Sequence, residues 1–180
     1  MNKAVFLDRD GVVNEDYGFV HRIEDFRFIK GSVEALKALS ESKFKVVIVT
    51  DQSGIGRGLY LEEEMHKLHH YMLNMLSRNG IIIDRIYHCP HSPEERCKCR
   101  KPQTLLLEKA KDELDLKLED SYFVGDKTKD IQTGKNAHCK TIMVSTGVGG
   151  KDREYNVAPD WNVSNLLEAV NIIIANEKQG

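Results

Sequence analysis

At 180 residues the chain is long enough to bury one sizeable core and too short for two ordinary domains. A hydrophobic share of 41% and a charged share of 30% exclude a disordered or fibrous chain. The formal net charge of −2, with both signs interspersed, lacks the cationic footprint of a nucleic-acid or anionic-membrane binder, so neither partner is expected.

The elements alternate along the chain. Val5-Phe6-Leu7 reads as a first buried strand that stops at Asp8, and Gly31 to Ser42 carries Val33, Leu36 and Leu39 at helical spacing. Val46 to Val49 is β-branched throughout, as a strand buried on both faces should be. Glu62 to Asn79 follows as an amphipathic helix closed by Gly80, then Ile81 to His88 as a strand and an irregular stretch rich in Cys, His and Pro. Thr104 to Leu114 reads as a helix, Tyr122 to Val124 and Thr141 to Val144 as strands, 145–160 as a loop and Asn165 to Asn176 as a closing helix. Alternation of this length predicts a three-layer α/β/α architecture around a doubly wound parallel sheet, in one domain spanning 1–180.

Four apolar residues before Asp8 are too few for a signal peptide, and Ile172 to Ala175 is too short to span a bilayer. A cytosolic monomer with reduced thiols is expected, so clustered cysteines suggest metal before disulfide. Cys89, His91, Cys97 and Cys99 place four zinc-type ligands within eleven residues. A closed Cys₃His site leaves no position for water, so Zn²⁺ is expected to scaffold the 89–99 loop. Cys139 has no partner nearby and reads as a core residue.

Ligands of such sheets bind beyond the carboxyl ends of the strands. Asp8 and Asp10 follow strand one, Thr50 strand two, Arg100 and Lys101 strand three after the Cys/His loop, and Asp126 strand four. Carboxylates, a hydroxyl and two cations on one rim suit phosphoester hydrolysis. Mg²⁺ takes a few carboxylates plus substrate phosphate, which Asp8, Asp126 and the Asp10 carbonyl would supply. Asp8 would be the nucleophile, Asp10 the general acid and base, and Lys101 would offset the phosphate charge. Gly11 would let the backbone turn sharply.

In order, Asp8-Arg9-Asp10-Gly11, Thr50, Lys101 and Gly125-Asp126-Lys127-Thr128-Lys129-Asp130 resemble the four signatures of the haloacid dehalogenase superfamily of phosphatases. Cys-Pro-His followed by Cys-x-Cys-Arg-Lys-Pro resembles its subgroup of heptose-1,7-bisphosphate 7-phosphatases and histidinol-phosphate phosphatases, which have a minimal cap. The resemblance covers roughly 3–146. Within it, Asn14 to Val20 and Thr50 to Gly58 are similar to the heptose branch, with Phe19 for Tyr and Asp51 for Asn. By that resemblance Asp16, Tyr17, Gly18 and Phe19, then Thr50, Asp51, Gln52 and Ser53, contact a phosphosugar. Arg100 would hold the second phosphate, with Lys101 and Lys127 as further substrate contacts. The spacing of five residues between His91 and Cys97 resembles the histidinol branch instead. The resemblance implies release of the C7 phosphate of a heptose bisphosphate through an aspartyl-phosphate. Histidinol phosphate is the rival substrate, and a silent zinc-stabilised binding module is the rival class. The anomer at C1 stays open.

Two further patterns carry less. Gly54-x-Gly56-x-Gly58 lacks dinucleotide spacing and reads as a loop passing close to the site. His66, His69 and His70 read as a solvated helix face, and Trp161 as a core anchor for the last helix.

Overall fold

The computed structural model describes residues 1–178. In chain order they form β1 (Lys3–Leu7), α1 (Ser32–Ser40), β2 (Phe44–Asp51), a four-residue α2 (Ser53–Gly56), α3 (Glu62–Ser77), β3 (Arg85–Cys89), α4 (Leu105–Leu114), β4 (Tyr122–Gly125), α5 (Thr128–Asn136), β5 (Lys140–Val144), β6 (Trp161–Val163) and α6 (Leu166–Glu177). The six strands make one parallel sheet in the order β3-β2-β1-β4-β5-β6.

Strand alternation supplies both cores. Val5, Leu7, Val46 and Ile48 join the apolar faces of α1, α3 and α6 on one side of the sheet. On the other, Ala4, Phe6, Val47 and Val49 meet Leu106, Leu107 and Ala110 of α4. Phe6 and Phe123 from neighbouring strands lie with ring centroids 6.3 Å apart, and deleting either ring would cost about 3–5 kcal/mol.

The strand order reverses between β1 and β4, which opens a crevice at their carboxyl ends. Leu7 pairs with Val124, and the amide of Asp8 donates to the Val124 carbonyl at 3.1 Å. Asp8 therefore leaves the sheet beside Asp126. Between β1 and α1, residues 8–31 form an irregular segment with one 3-10 turn at Ile23–Asp25, tied by bridges from Asn14 to Asp10 and Phe28.

Four expectations need correction. Thr50 lies inside β2, which runs to Asp51, and β3 begins at Arg85 and not Ile81. The helix α5 was not expected, because it buries small and polar residues, Thr128, Asp130, Thr133 and Gly134, with Ile131 its one large apolar side chain. The stretch 145–160 continues directly into β6, which gives Trp161 a strand position with its ring 6.2 Å from that of Tyr122. Among the described residues no helix is long and apolar enough to cross a membrane.

Candidate functional site

Asp8 sits at the sheet's switch point, 4% exposed. Its Oδ1 accepts from the Arg9 amide at 2.8 Å and lies 3.1 Å from Lys101 Nζ. Lys101 is itself buried and reaches Asp130 Oδ1 at 2.6 Å. Burial opposes the charge on Lys101, but Asp130, Asp8 and Asp51 outweigh it and hold the ammonium well above its ordinary pKa.

Asp126, fully buried, completes the cluster. Burial, then the neighbouring Asp8 and Asp130 carboxylates, push its pKa up to about 7. Its Oδ2 accepts from the Val148 amide at 2.7 Å, whereas its buried Oδ1 has no hydrogen-bond partner. Oxygens of Asp8, Asp126 and Asp130 lie within 4.8 Å of one another. Three buried carboxylates facing one fully buried lysine, with an orphaned oxygen, fit a hard divalent cation such as Mg²⁺. Gly11 makes room for this cluster. Its φ of +86° suits glycine, and a Cβ there would run into the Asp126 carboxylate.

The structure brings Asp130 into the carboxylate cluster and leaves the side chain of Asp10 outside it. Asp10 is clamped instead. The Arg9 guanidinium donates to its Oδ1 at 2.8 Å and Oδ2 at 3.0 Å, Asn14 Nδ2 to Oδ1 at 2.9 Å and Gln52 Nε2 to Oδ2 at 3.2 Å. Gln52 also donates to Thr50 Oγ1 at 2.7 Å and accepts from the Tyr60 hydroxyl at 2.7 Å. Gln52 and Thr50 thus act as buried supports under Asp10. Arg9 donates further to the Val20 carbonyl, which ties the 16–20 loop to the same guanidinium.

Above these groups lies a cavity of about 250 Å³ lined by Asp8, Asp10, Asp16, Gly18, Phe19, Asp51, Gln52, Ser53, Tyr60, Arg100, Lys127 and Lys129. Most of the expected substrate contacts meet there. Tyr17 does not line it, being 68% exposed beside a neighbouring cavity, and the buried Thr50 and Lys101 do not line it either. Asp51 carries two cations: its Oδ2 is 2.8 Å from Lys129 Nζ and 3.8 Å from Arg100 Nη1. Burial alone would raise its pKa, but Lys101, Lys129 and Arg100 hold it below the ordinary value. Its negative charge is therefore neutralised within the site. Lys127 Nζ stands 3.4 Å from Asp16 Oδ2 across the cavity.

Cys89 ends β3, and the loop after it folds back so that Cys89, His91, Cys97 and Cys99 offer donor atoms within 4.8 Å of one another. Sulfur–sulfur separations of 3.1 to 3.5 Å and His91 Nδ1 at 3.3 Å from Cys99 Sγ make a compact tetrahedral donor set. This thiolate–imidazole set fits Zn²⁺, whose about 2.3 Å bonds to sulfur require such close approach. The loop is braced on the active site: the Gly56 amide donates to the Pro90 carbonyl at 2.8 Å, and a Cβ on Gly56 would meet the backbone of His91 and Ser92.

Sequence reasoning did not assign roles to Arg9, Asn14, Tyr60, Lys129 or Asp130. Lys129 and Asp130 belong to the Gly125–Asp130 motif and sit in the first turn of α5, which is the signal that marks them. His69 was expected to be solvated; it is 6% exposed and faces Arg9. Its partner lies sixty residues away, beyond any local pattern.

Comparison with known proteins agrees with this geometry. A family model described as HAD-hydrolase-like matches residues 98–169. The D-glycero-beta-D-manno-heptose-1,7-bisphosphate 7-phosphatase of Yersinia pestis is 41% identical over 97% of each chain. The D-glycero-alpha-D-manno-heptose-1,7-bisphosphate 7-phosphatase of Campylobacter jejuni is 47% identical over 79% of this chain and 81% of that one. A crystal structure of D,D-heptose 1,7-bisphosphate phosphatase from B. bronchiseptica, complexed with magnesium and phosphate, superposes with a TM-score of 0.89 at 32% identity, covering 97% of this chain and 99% of that one. With identity of this order running through nearly the whole of both chains, this protein belongs to the HAD-like hydrolases, in the family of the heptose-1,7-bisphosphate 7-phosphatases.

Proposed function

We propose that this protein hydrolyses the C7 phosphate of D-glycero-D-manno-heptose 1,7-bisphosphate, in the synthesis of activated heptose for bacterial surface glycans. The observation that carries the reaction type is the pinning of Asp8. One of its oxygens is held by the Arg9 amide and Lys101, in the mouth of the β1/β4 crevice.

Mg²⁺, held by Asp8, Asp126 and the Asp10 carbonyl, would offset the negative charge that keeps a carboxylate away from a phosphate dianion. Asp8 attacks phosphorus, the bond from phosphorus to the C7 oxygen breaks, and the Asp10 carboxyl protonates the departing oxygen. Asp10 then takes a proton from the water that attacks the aspartyl-phosphate, which releases phosphate and restores Asp8. Lys101 orients Asp8, and Asp130 anchors Lys101. The clamp of Arg9, Asn14 and Gln52 fixes the direction in which Asp10 delivers its proton.

For the substrate, Asp16, Gly18 and Phe19 cover the sugar, while Arg100, Lys127 and Lys129 answer the two phosphates. Zn²⁺ at Cys89, His91, Cys97 and Cys99 would fix the loop that delivers Arg100 and Lys101. We read the 180 residues as one domain acting as a monomer in the cytosol. Support comes from the single sheet that both cores share and from the reduced thiols the zinc loop requires.

The test is phosphate release from both anomers of the bisphosphate and from histidinol phosphate, with Mg²⁺ present. The expected outcome is a higher kcat/KM on one bisphosphate anomer than on histidinol phosphate. The reverse order would overturn the substrate assignment.

A further inference from the structure

A second cluster of metal-type donors lies outside the catalytic cavity and outside the cysteine loop. Glu62 and His66 stand one turn apart at the start of α3, so their side chains project from the same face of the helix. His88 meets them from β3, the edge strand of the sheet. One donor atom from each lies within 4.8 Å of the other two. His88 Nε2 is 2.5 Å from Glu62 Oε1, and the rings of His66 and His88 meet edge to face with centroids 5.4 Å apart.

A hydrogen bond between Glu62 and His88 accounts for two of the three groups. Their side chains are 49% and 19% exposed, so solvent competes for that contact. It leaves unexplained why a second imidazole converges on the same point. A shared ion explains all three. Two imidazoles and a carboxylate are the donor set of zinc sites that keep a position open. Magnesium and calcium select oxygen donors, so the cluster favours a borderline transition metal over the cation that suits Asp8 and Asp126. Access is direct, because His66, His70 and His88 border an open groove of about 1070 Å³ between α3 and β3.

We propose that Glu62, His66 and His88 form a second transition-metal site, which takes a zinc-class divalent ion and leaves its remaining positions to water or an exogenous ligand. The ion joins the first turns of α3 to the edge strand, one residue before Cys89. It closes the segment that runs from Glu62 through α3 to His88. The site is independent of the phosphatase reaction and stands or falls separately from it.

The experiment titrates Co²⁺ into the purified protein with its cysteine loop already filled with zinc. Mg²⁺ is kept in excess so that the carboxylate cluster takes no cobalt. Calorimetry gives the stoichiometry, and visible absorption identifies the donors, since cobalt on thiolates adds a strong charge-transfer band that nitrogen and oxygen donors lack. The expected result is one further equivalent per chain without that band. Binding should weaken at least tenfold in His66→Ala or His88→Ala and vanish in the double variant, with a smaller loss in Glu62→Gln. Each variant is first melted without cobalt. If an alanine variant melts early, Glu62→Gln, which keeps shape and hydrogen-bonding capacity, decides the matter. The proposal is overturned if the natural chain, with zinc in its cysteine loop, takes up no cobalt, or if folded variants bind it as tightly as the natural chain.

Discussion

Arg9 Nη1 lies 3.0 Å from His69 Nε2, and both side chains are buried. Burial, then the Arg9 charge, hold His69 down to about 3, so it stays neutral and Nε2 accepts the hydrogen bond. The contact completes the set of partners that fixes the guanidinium, and the guanidinium fixes Asp10. His69→Phe should therefore cost about 1–3 kcal/mol of stability by stranding a buried donor, and should lower kcat more than it changes KM. His69→Gln, which still offers an acceptor, should recover much of both. Chemical denaturation and steady-state kinetics on the two variants check this.

The same pair sets a pH dependence. A histidine whose folded pKa is depressed contributes stability that is fully present above its unfolded value near 6.5 and is lost as pH falls below it. Between pH 6.5 and 5 the natural chain should lose about 1.6 kcal/mol that His69→Gln does not lose. Denaturation curves of both proteins across that range give the difference. Parallel pH profiles would show that His69 is protonated in the fold.

Much of this site is legible in the sequence for a simple reason. Asp8, Thr50 and Asp126 each close or follow a run of buried apolar residues, and the parallel sheet brings those ends to one rim. What stayed hidden was what depends on distant partners or on small side chains. The helix α5 packs Gly134 so closely that a Cβ there would crowd Phe123 and Thr141, and a helix that buries small and polar residues has only Ile131 as a large apolar residue to mark it. The three residues of β6 are too few to alternate visibly. His69 shares its helix with exposed His66 and His70, and only the position of Arg9 sets it apart.

Asp51 stands where the heptose-branch pattern has Asn, and its pairing with Lys129 and Arg100 gives that exchange a physical meaning. Lys129→Ala should raise KM for the bisphosphate by about tenfold, equivalent to about 1.4 kcal/mol, with much less effect on a sugar monophosphate. Asp51→Asn should change KM less, because both cations remain and the bond from the Lys101 amide can persist. Equal effects of Lys129→Ala on mono- and bisphosphate would place Lys129 away from the second phosphate.

Gly11 is constrained twice, by its φ and by the carboxylate beside it. Gly11→Ala should destabilise the fold by about 1 kcal/mol or more through backbone strain alone. It should also weaken Mg²⁺ dependence further by displacing Asp126. Activity measured against Mg²⁺ concentration should show a raised half-saturation point. An unchanged Mg²⁺ curve would mean that Asp126 is not a ligand.

Zinc held by the cysteine loop would act from the other side of the site. A chelator, or Cys97→Ser, should lower the melting temperature and loosen the loop that ends in Arg100 and Lys101, so kcat falls along with stability. Restoring zinc after chelation should recover both. If activity survives with the loop stripped of zinc, Lys101 is held by Asp8 and Asp130 alone.

The most direct measurement is phosphate release from heptose 1,7-bisphosphate by the natural chain and by Asp8→Asn, with Mg²⁺, after melting curves establish that both are folded. Asp8→Asn should lose activity by roughly a thousandfold or more, and only the natural chain should form an acid-stable phosphoryl adduct on a peptide containing Asp8. Comparable turnover by a folded Asp8→Asn chain would contradict covalent catalysis at Asp8.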